Sequence, residues 1–178
     1  MLYVGTVPMM IPTAATEKWL QAFKAGICNR CPAGVGAGDP ALGAALFGVV
    51  ELQLNTNAVD PGAGLVYGDL EITDDSGGVA VWVNPTAAPA ACLAAFEGPE
   101  EGLDGYWRLV YDQEIWTANG DGTTPPQITG VALVGDTGTT PVLLAYGSLP
   151  GGPANFEQFD ILKLTTELVM RPQLPIVA

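Results

Sequence analysis

Histidine is absent from all 178 residues of the chain, which removes Ser-His-Asp and Cys-His catalysis, because no imidazole is present to act as the base. Cations are scarce as well. Lys and Arg number 6 against 19 Asp and Glu, a net charge of −13, and such a surface repels phosphate backbones, so nucleic acid is not an expected partner. Charged residues of both signs make up only 14% of the chain, too little to cover a surface, which points to surface covered by other protein. The three cysteines cannot staple a chain of this length, and none is needed, since a single domain of this size buries a sufficient core. No run approaches the ~20 consecutive apolar residues of a membrane-spanning helix. The apolar opening Met1–Pro12 has no basic start and is broken by Pro8 and Pro12, unlike a secretory signal. A chain that is soluble when made, with no membrane partner, is expected.

What is present is apolar and punctuated. Hydrophobic residues are 48% of the chain, with 23 Gly and 15 Pro distributed rather than periodic, a composition that excludes disorder and collagen and fits many turns between short strands. Strand patterning is clearest between Glu114 and Leu168. Glu114–Thr117 runs into the turn cluster Ala118-Asn119-Gly120-Asp121-Gly122. Ile128–Val134 is β-branched until Gly135–Gly138 stops it, and Val142–Tyr146 follows as its neighbour after a tight connection. In Phe159–Thr165, Phe159, Ile161 and Lys163 fall on one face and Asp160, Leu162 and Leu164 on the other. Further strands are expected over 46–54, 66–72, 79–83 and 106–111, about eight in total, with the sandwich spanning 46–168. One helix is expected over 13–26, with Thr13 as N-cap, Trp19, Leu20, Phe23 and Ile27 at helical steps and Gly26 as the stop. The expected fold is all-β: an antiparallel β-sandwich, jelly-roll-like, with an N-terminal amphipathic helix, an extended arm over 1–12 and a tail over 169–178.

Candidate chemistry is thin. Cys28-Asn29-Arg30-Cys31 has the spacing of a redox dithiol or half a zinc site, but it follows the helix instead of opening one, and only Cys92 is left to complete a ligand set. Structural thiols, reduced or locally bridged, are the expectation. Glu97, Glu100, Glu101 and Asp104, and again Asp112 and Glu114, supply carboxylates of the type glycosidases pair, yet charged loops between strands are far commoner than active sites. Asp74 and Asp75, or Asn119 and Asp121, offer hard oxygens but not the spacing of a calcium loop, and read as turns. Gly34-Val35-Gly36-Ala37-Gly38 follows no strand and carries no lysine, unlike a phosphate loop. No catalytic residue, metal or cofactor is expected, and the chain is not read as an enzyme.

The succession of Ile11-Pro12, an amphipathic helix, Trp82, Ile115-Trp116-Thr117-Ala118, Ile128-Thr129-Gly130, Leu143-Leu144-Ala145, Leu149-Pro150 and a long final strand resembles a family of small structural proteins encoded by tailed bacteriophages. The resemblance covers most of the chain after residue 10 through short apolar motifs, and the segment from Cys28 through the Gly-rich loop departs from it. It implies a β-rich virion protein, a head decoration or cement protein bound to the outside of the shell, with the major capsid protein as partner and the host cytoplasm as its location before assembly. It carries over no catalytic residue.

Apolar ends on such a chain are an aggregation hazard unless covered. Leu2, Tyr3, Val4, Met9, Met10 and Ile11 in the arm, and Leu174, Ile176 and Val177 in the tail, are therefore the expected subunit or shell contacts of a homo-oligomer, a trimer among the options. Removal of residues 1–10 is expected to abolish these contacts and spare the fold. Two other roles have the same composition: a tail or fibre-attachment component, and a carbohydrate- or cell-surface-binding sandwich that stacks sugars on Trp82, Tyr106, Trp107 or Trp116, positions that otherwise read as core or interface.

Overall fold

The computed structural model describes residues 1–24, 47–48, 51–73, 82–83, 96–97, 107–118, 124–135 and 140–170, with the backbone alone at 20–24, 82–83, 96–97, 107–115 and 167–170. Among these residues lie strands β1 (Leu2–Met9), β2 (Glu51–Asn55), β3 (Ile72–Thr73), β4 (Trp82–Val83), β5 (Phe96–Glu97), β6 (Trp107–Ala118), β7 (Gly130–Gly135), β8 (Val142–Ser148) and β9 (Ile161–Met170), and one helix, α1 (Thr13–Lys24). One sheet runs β1-β9-β6-β4, with β5 also on β6, and the other runs β3-β2-β7-β8. The protein is mostly strand, in two sheets.

The two sheets bury a shared core because strand side chains alternate between faces. Leu162, Leu164 and Trp116 from the first sheet meet Leu52, Leu54, Val131, Leu133 and Leu144 from the second, together with Val7, Ile128 and Phe156. Fully burying one such aliphatic side chain is worth about 1.5–3 kcal/mol, so this contact dominates the fold's stability. Both β9 and β6 are long. Of the segments 106–111 and 114–117, expected as separate strands, Tyr106 lies outside the described residues, and residues 107–111 and 114–117 belong to one strand, β6. Its register on β9 shifts between Tyr111 and Glu114, where Asp112 and Gln113 face only Thr165, a bulge whose polar residues resemble a loop in sequence.

The arm expected over 1–12 is an integral strand. β1 pairs with β9 in parallel from Leu2↔Ile161 to Met9↔Leu168, so the first sheet is mixed and the all-antiparallel expectation is corrected. Val7 and Met9 sit in the core, at 0% and 6% exposure. The strand then crosses to the other sheet. Met10 N–H donates to Tyr146 C=O at 2.8 Å, and Tyr146 N–H to Met10 C=O at 2.9 Å. Gly147 permits this corner: a Cβ there would stand 2.6 Å from the Pro8 carbonyl oxygen. Strands that change sheets make such corners, and nothing in the residue pattern of 1–10 announces one.

Helix α1 starts at Thr13 itself, so Pro12 and not Thr13 holds the cap position and is the first acceptor: Ala15 N–H reaches its carbonyl at 3.0 Å. The Thr13 N–H is used elsewhere, on Ala63 C=O at 2.8 Å. Trp19 is buried, its indole donating to Leu144 C=O at 3.0 Å and its ring 4.9 Å from Phe47. An edge carbonyl of β8 is thereby satisfied by a side chain instead of a neighbouring strand. The expected C-terminal stop at Gly26 lies outside the described residues.

The second sheet is covered twice. On its far face Ala132, Val134, Leu143 and Tyr146 pack beneath Val59, Leu65, Tyr67, Leu70 and Ile72, so every residue of β7 is buried. The strand expected over 66–72 is mostly not a strand. Tyr67–Asp69 is a 3-10 turn, closed by Val66 N–H on Asp69 Oδ2 at 3.0 Å, and only Ile72–Thr73 pairs with β2. Asn55, fully buried, secures this cover: the two hydrogens of its Nδ2 are shared among Asn57 C=O (2.8 Å), Thr129 Oγ1 (3.1 Å) and Tyr146 Oη (3.1 Å), and its Oδ1 accepts from Glu71 N–H (2.9 Å). Each polar atom of that buried amide is satisfied, the condition under which burying it is tolerable.

Candidate functional site

Among the described residues no cluster of three or more His, Cys, Asp or Glu side chains is placed to hold a metal ion. Cys28, Cys31, Cys92, Glu100, Glu101, Asp104, Asp74, Asp75, Asn119, Asp121 and the 34–38 loop lie outside the described residues, and Glu97, Asp112 and Glu114 are described in backbone only. No described helix is long and apolar enough to cross a membrane. The polar network of Asn55, Thr129 and Tyr146 is internally satisfied and closed off from solvent, which makes it a structural lock.

The distinctive surface is the outer face of the first sheet at its β1 edge. Inward residues Leu162, Leu164 and Thr166 of β9 are fully buried, while outward Leu2 and Val4 of β1 are 60% and 62% exposed, and Ile161 beside Leu2 is 37% exposed. Lys163, half-buried, stands beside Val4. Phe159 extends this surface at 70% exposure, on a turn closed by Asp160 N–H to Glu157 C=O at 3.1 Å.

That turn is unusual in its backbone. Phe159 has φ of 67°, in the left-handed region that costs an L-residue roughly 1–2 kcal/mol. The conformation is held from both sides. Phe159 N–H donates to Ala118 C=O at 3.1 Å and Ala118 N–H to Asp160 C=O at 2.9 Å. Asp160, 5% exposed, accepts from Glu157 N–H on Oδ2 at 2.9 Å and pairs through Oδ1 with the Met1 α-amino group. The result is an aromatic ring fixed outward into solvent at an energetic cost, beside two outward aliphatic side chains. Strained backbone that presents a side chain to solvent is a mark of a binding position.

Of the expected contact residues, Leu2, Val4 and Met10 are exposed, Tyr3 and Ile11 are half-buried, and Met9 is in the core. The assignment of Met9 to a contact is therefore corrected: its side chain is used internally. Tyr3 is committed as well, its hydroxyl donating to Pro150 C=O at 2.8 Å and its ring edge-on to Phe156 at 6.0 Å. Leu174, Ile176 and Val177 lie outside the described residues. Trp116, weighed as a sugar-stacking platform, is 4% exposed and in the core. Tyr106 lies outside the described residues, and Trp82 and Trp107 are described in backbone only. Phe159 and Ile161 were missed as surface candidates, although the alternation through Asp160, Leu162 and Leu164 already set them on the opposite face. The signal was there, but an apolar residue in a strand is read first as core.

No family model, curated protein or solved structure matches the chain.

Proposed function

We propose that the protein is a structural component of a tailed-bacteriophage particle, a decoration or cement protein that binds the outside of the head through contacts with the major capsid protein. The observation that carries this reading is the exposed apolar surface of Leu2, Val4, Ile161 and Phe159 on a rigid sheet, in a chain whose first 16 residues carry no charged side chain although its net charge is −13. Outward apolar side chains on a stiff scaffold, set in a body that its own acidity keeps soluble, suit a protein that is free first and bound later. Its role in this reading is one of contact. The finer expectations of jelly-roll connectivity and an oligomer on the shell belong to the same proposal.

The deciding experiment is co-purification with intact particles. The protein should band with filled heads in a density gradient at a stoichiometric ratio to the major shell protein, and Phe159→Gly should raise its dissociation constant from heads at least about fivefold, since an aromatic anchor commonly carries about 1 kcal/mol or more of an interface. Absence from particles would overturn the proposal. Presence on isolated tails but not on tail-less heads would replace it with the tail or fibre-attachment role.

A further inference from the structure

The register of β1 fixes which main-chain groups it has left to offer. Ile161 N–H donates to Met1 C=O at 2.9 Å. In an extended strand the N–H and C=O of one residue point to the same side and alternate along the chain. Met1, Tyr3, Gly5, Val7 and Met9 therefore present their main chain to β9, and Leu2, Val4, Thr6, Pro8 and Met10 present theirs away from it. The bonds of Met10 to Tyr146 on the opposite side confirm this parity. Pro8 has no N–H, and its carbonyl lies against Gly147. What remains is the outward edge of Leu2, Val4 and Thr6, whose N–H and C=O groups meet no partner among the described residues.

Edge strands of monomeric proteins are usually guarded by charge, proline or cover. β8, the edge of the second sheet, is covered by Met10 and by the Trp19 indole. The stretch Leu2–Thr6 has no charge and no proline and, among the described residues, no cover, and it carries exposed Leu2 and Val4 side chains. We infer that this edge is a pairing surface for a second copy of the same chain, joined antiparallel across a two-fold axis through Val4.

The second copy is favoured by two features. First, the free groups are self-complementary. With Val4 facing Val4 of the other copy and Leu2 facing its Thr6, every outward N–H from Leu2, Val4 and Thr6 meets an outward carbonyl, and none is left over. Pairing ends where Pro8 and the Met10 bridge end the open edge, so the contact is isologous and closes at two chains. Second, the electrostatics select the place. Two bodies of −13 repel over most of their surfaces, but residues 1–16 carry no charged side chain and the neighbour of Val4 on β9 is the cation Lys163, so copies meet here without acidic side chains on the paired strands. Pairing would also set the exposed Leu2, Val4, Ile161 and Phe159 of both copies on one continuous sheet face. The pairing itself stands independently of the particle-binding role.

Sedimentation velocity of the full chain tests it, with Val4→Lys and Val4→Glu alone and mixed. Position 4 faces itself across the axis, so each charged variant sets like charges side by side, and its dissociation constant should rise about 100-fold or more. Its circular dichroism should stay that of the parent, because the side chain points away from the core, and its Tm should match the parent's at concentrations where the parent too is dissociated. An equimolar mixture of the two variants should recover the dimer as a one-to-one heterodimer. A parent chain that sediments as a monomer, a Val4→Lys variant that stays dimeric, or a mixture of folded variants that stays monomeric would each overturn the inference.

Discussion

The two sheets face different demands. The second has cover on both sides: β7 is buried throughout, one face against the shared core and the other beneath 59–72, and its β8 edge is satisfied by Met10 and Trp19. The first sheet contributes one face to the core and leaves Leu2, Val4 and Ile161 outward, with a β1 edge that is unpaired among the described residues from Leu2 to Thr6. Stability is concentrated where side chains and main chain are both fully partnered, and binding capacity where they are not. The Phe159 turn belongs to the second category, since its strain contributes nothing to the core and only presents a ring.

The comparison breaks most severely if β1 is removed. Deletion of residues 1–10 strips Val7 and Met9 from the core, at about 1.5–3 kcal/mol each, and takes the whole β1–β9 ladder with them. The loss is on the order of the 5–15 kcal/mol that stabilises an ordinary domain. The truncated protein should show no cooperative unfolding transition in urea. A truncated chain with parental stability would return β1 to the status of a dispensable arm.

Next in size is the lock of the second sheet. Gly130→Val would drive a side chain into the Tyr146 hydroxyl and the Gly147 carbonyl, breaking the Asn55–Tyr146 hydrogen bond, for a loss of about 3 kcal/mol. The midpoint of chemical denaturation reads it, and the m-value should be unchanged. The opposite sign is expected at Thr166, whose buried Oγ1 has no hydrogen-bond partner among the described residues. Thr166→Val keeps the shape and removes an unsatisfied hydroxyl, so stability should rise by about 1 kcal/mol, seen as about 2–4 °C in Tm.

The smallest stability effects belong to the outer face. Val4→Ser should change stability by no more than about 0.5 kcal/mol. Phe159→Gly should be neutral or stabilising by up to about 1 kcal/mol, since glycine accepts the left-handed backbone that phenylalanine is forced into. A loss above 2 kcal/mol at either position, measured by urea titration, would show that this face is structural and erase the contrast between the sheets.

Much of the core was legible in the residues. The segments 128–134, 142–146 and 159–165 correspond to β7, β8 and the start of β9 within a few positions, because alternation and β-branching act locally. The segment 66–72 misled, since Val66, Tyr67, Leu70 and Ile72 look like a strand, whereas the Asp69 carboxylate and the Asn55 and Asn57 amides draw the backbone into a turn. The candidate surface was half legible. Leu2, Val4 and Met10 read as apolar and in need of cover, while the alternation through Asp160, Leu162 and Leu164 put Phe159 and Ile161 on the opposite face without showing that this face is outward.

By itself the sequence determined that this is a β-rich, acidic chain without imidazole chemistry, because composition and period-two alternation are properties of the residues wherever they lie. Only the tertiary structure decided that the apolar opening is a parallel strand whose Val7 and Met9 enter the core, while the main chain of Leu2, Val4 and Thr6 stays unpaired among the described residues. Strand pairing is a long-range contact between Leu2–Met9 and Ile161–Leu168, and no local preference specifies a partner that far along the chain.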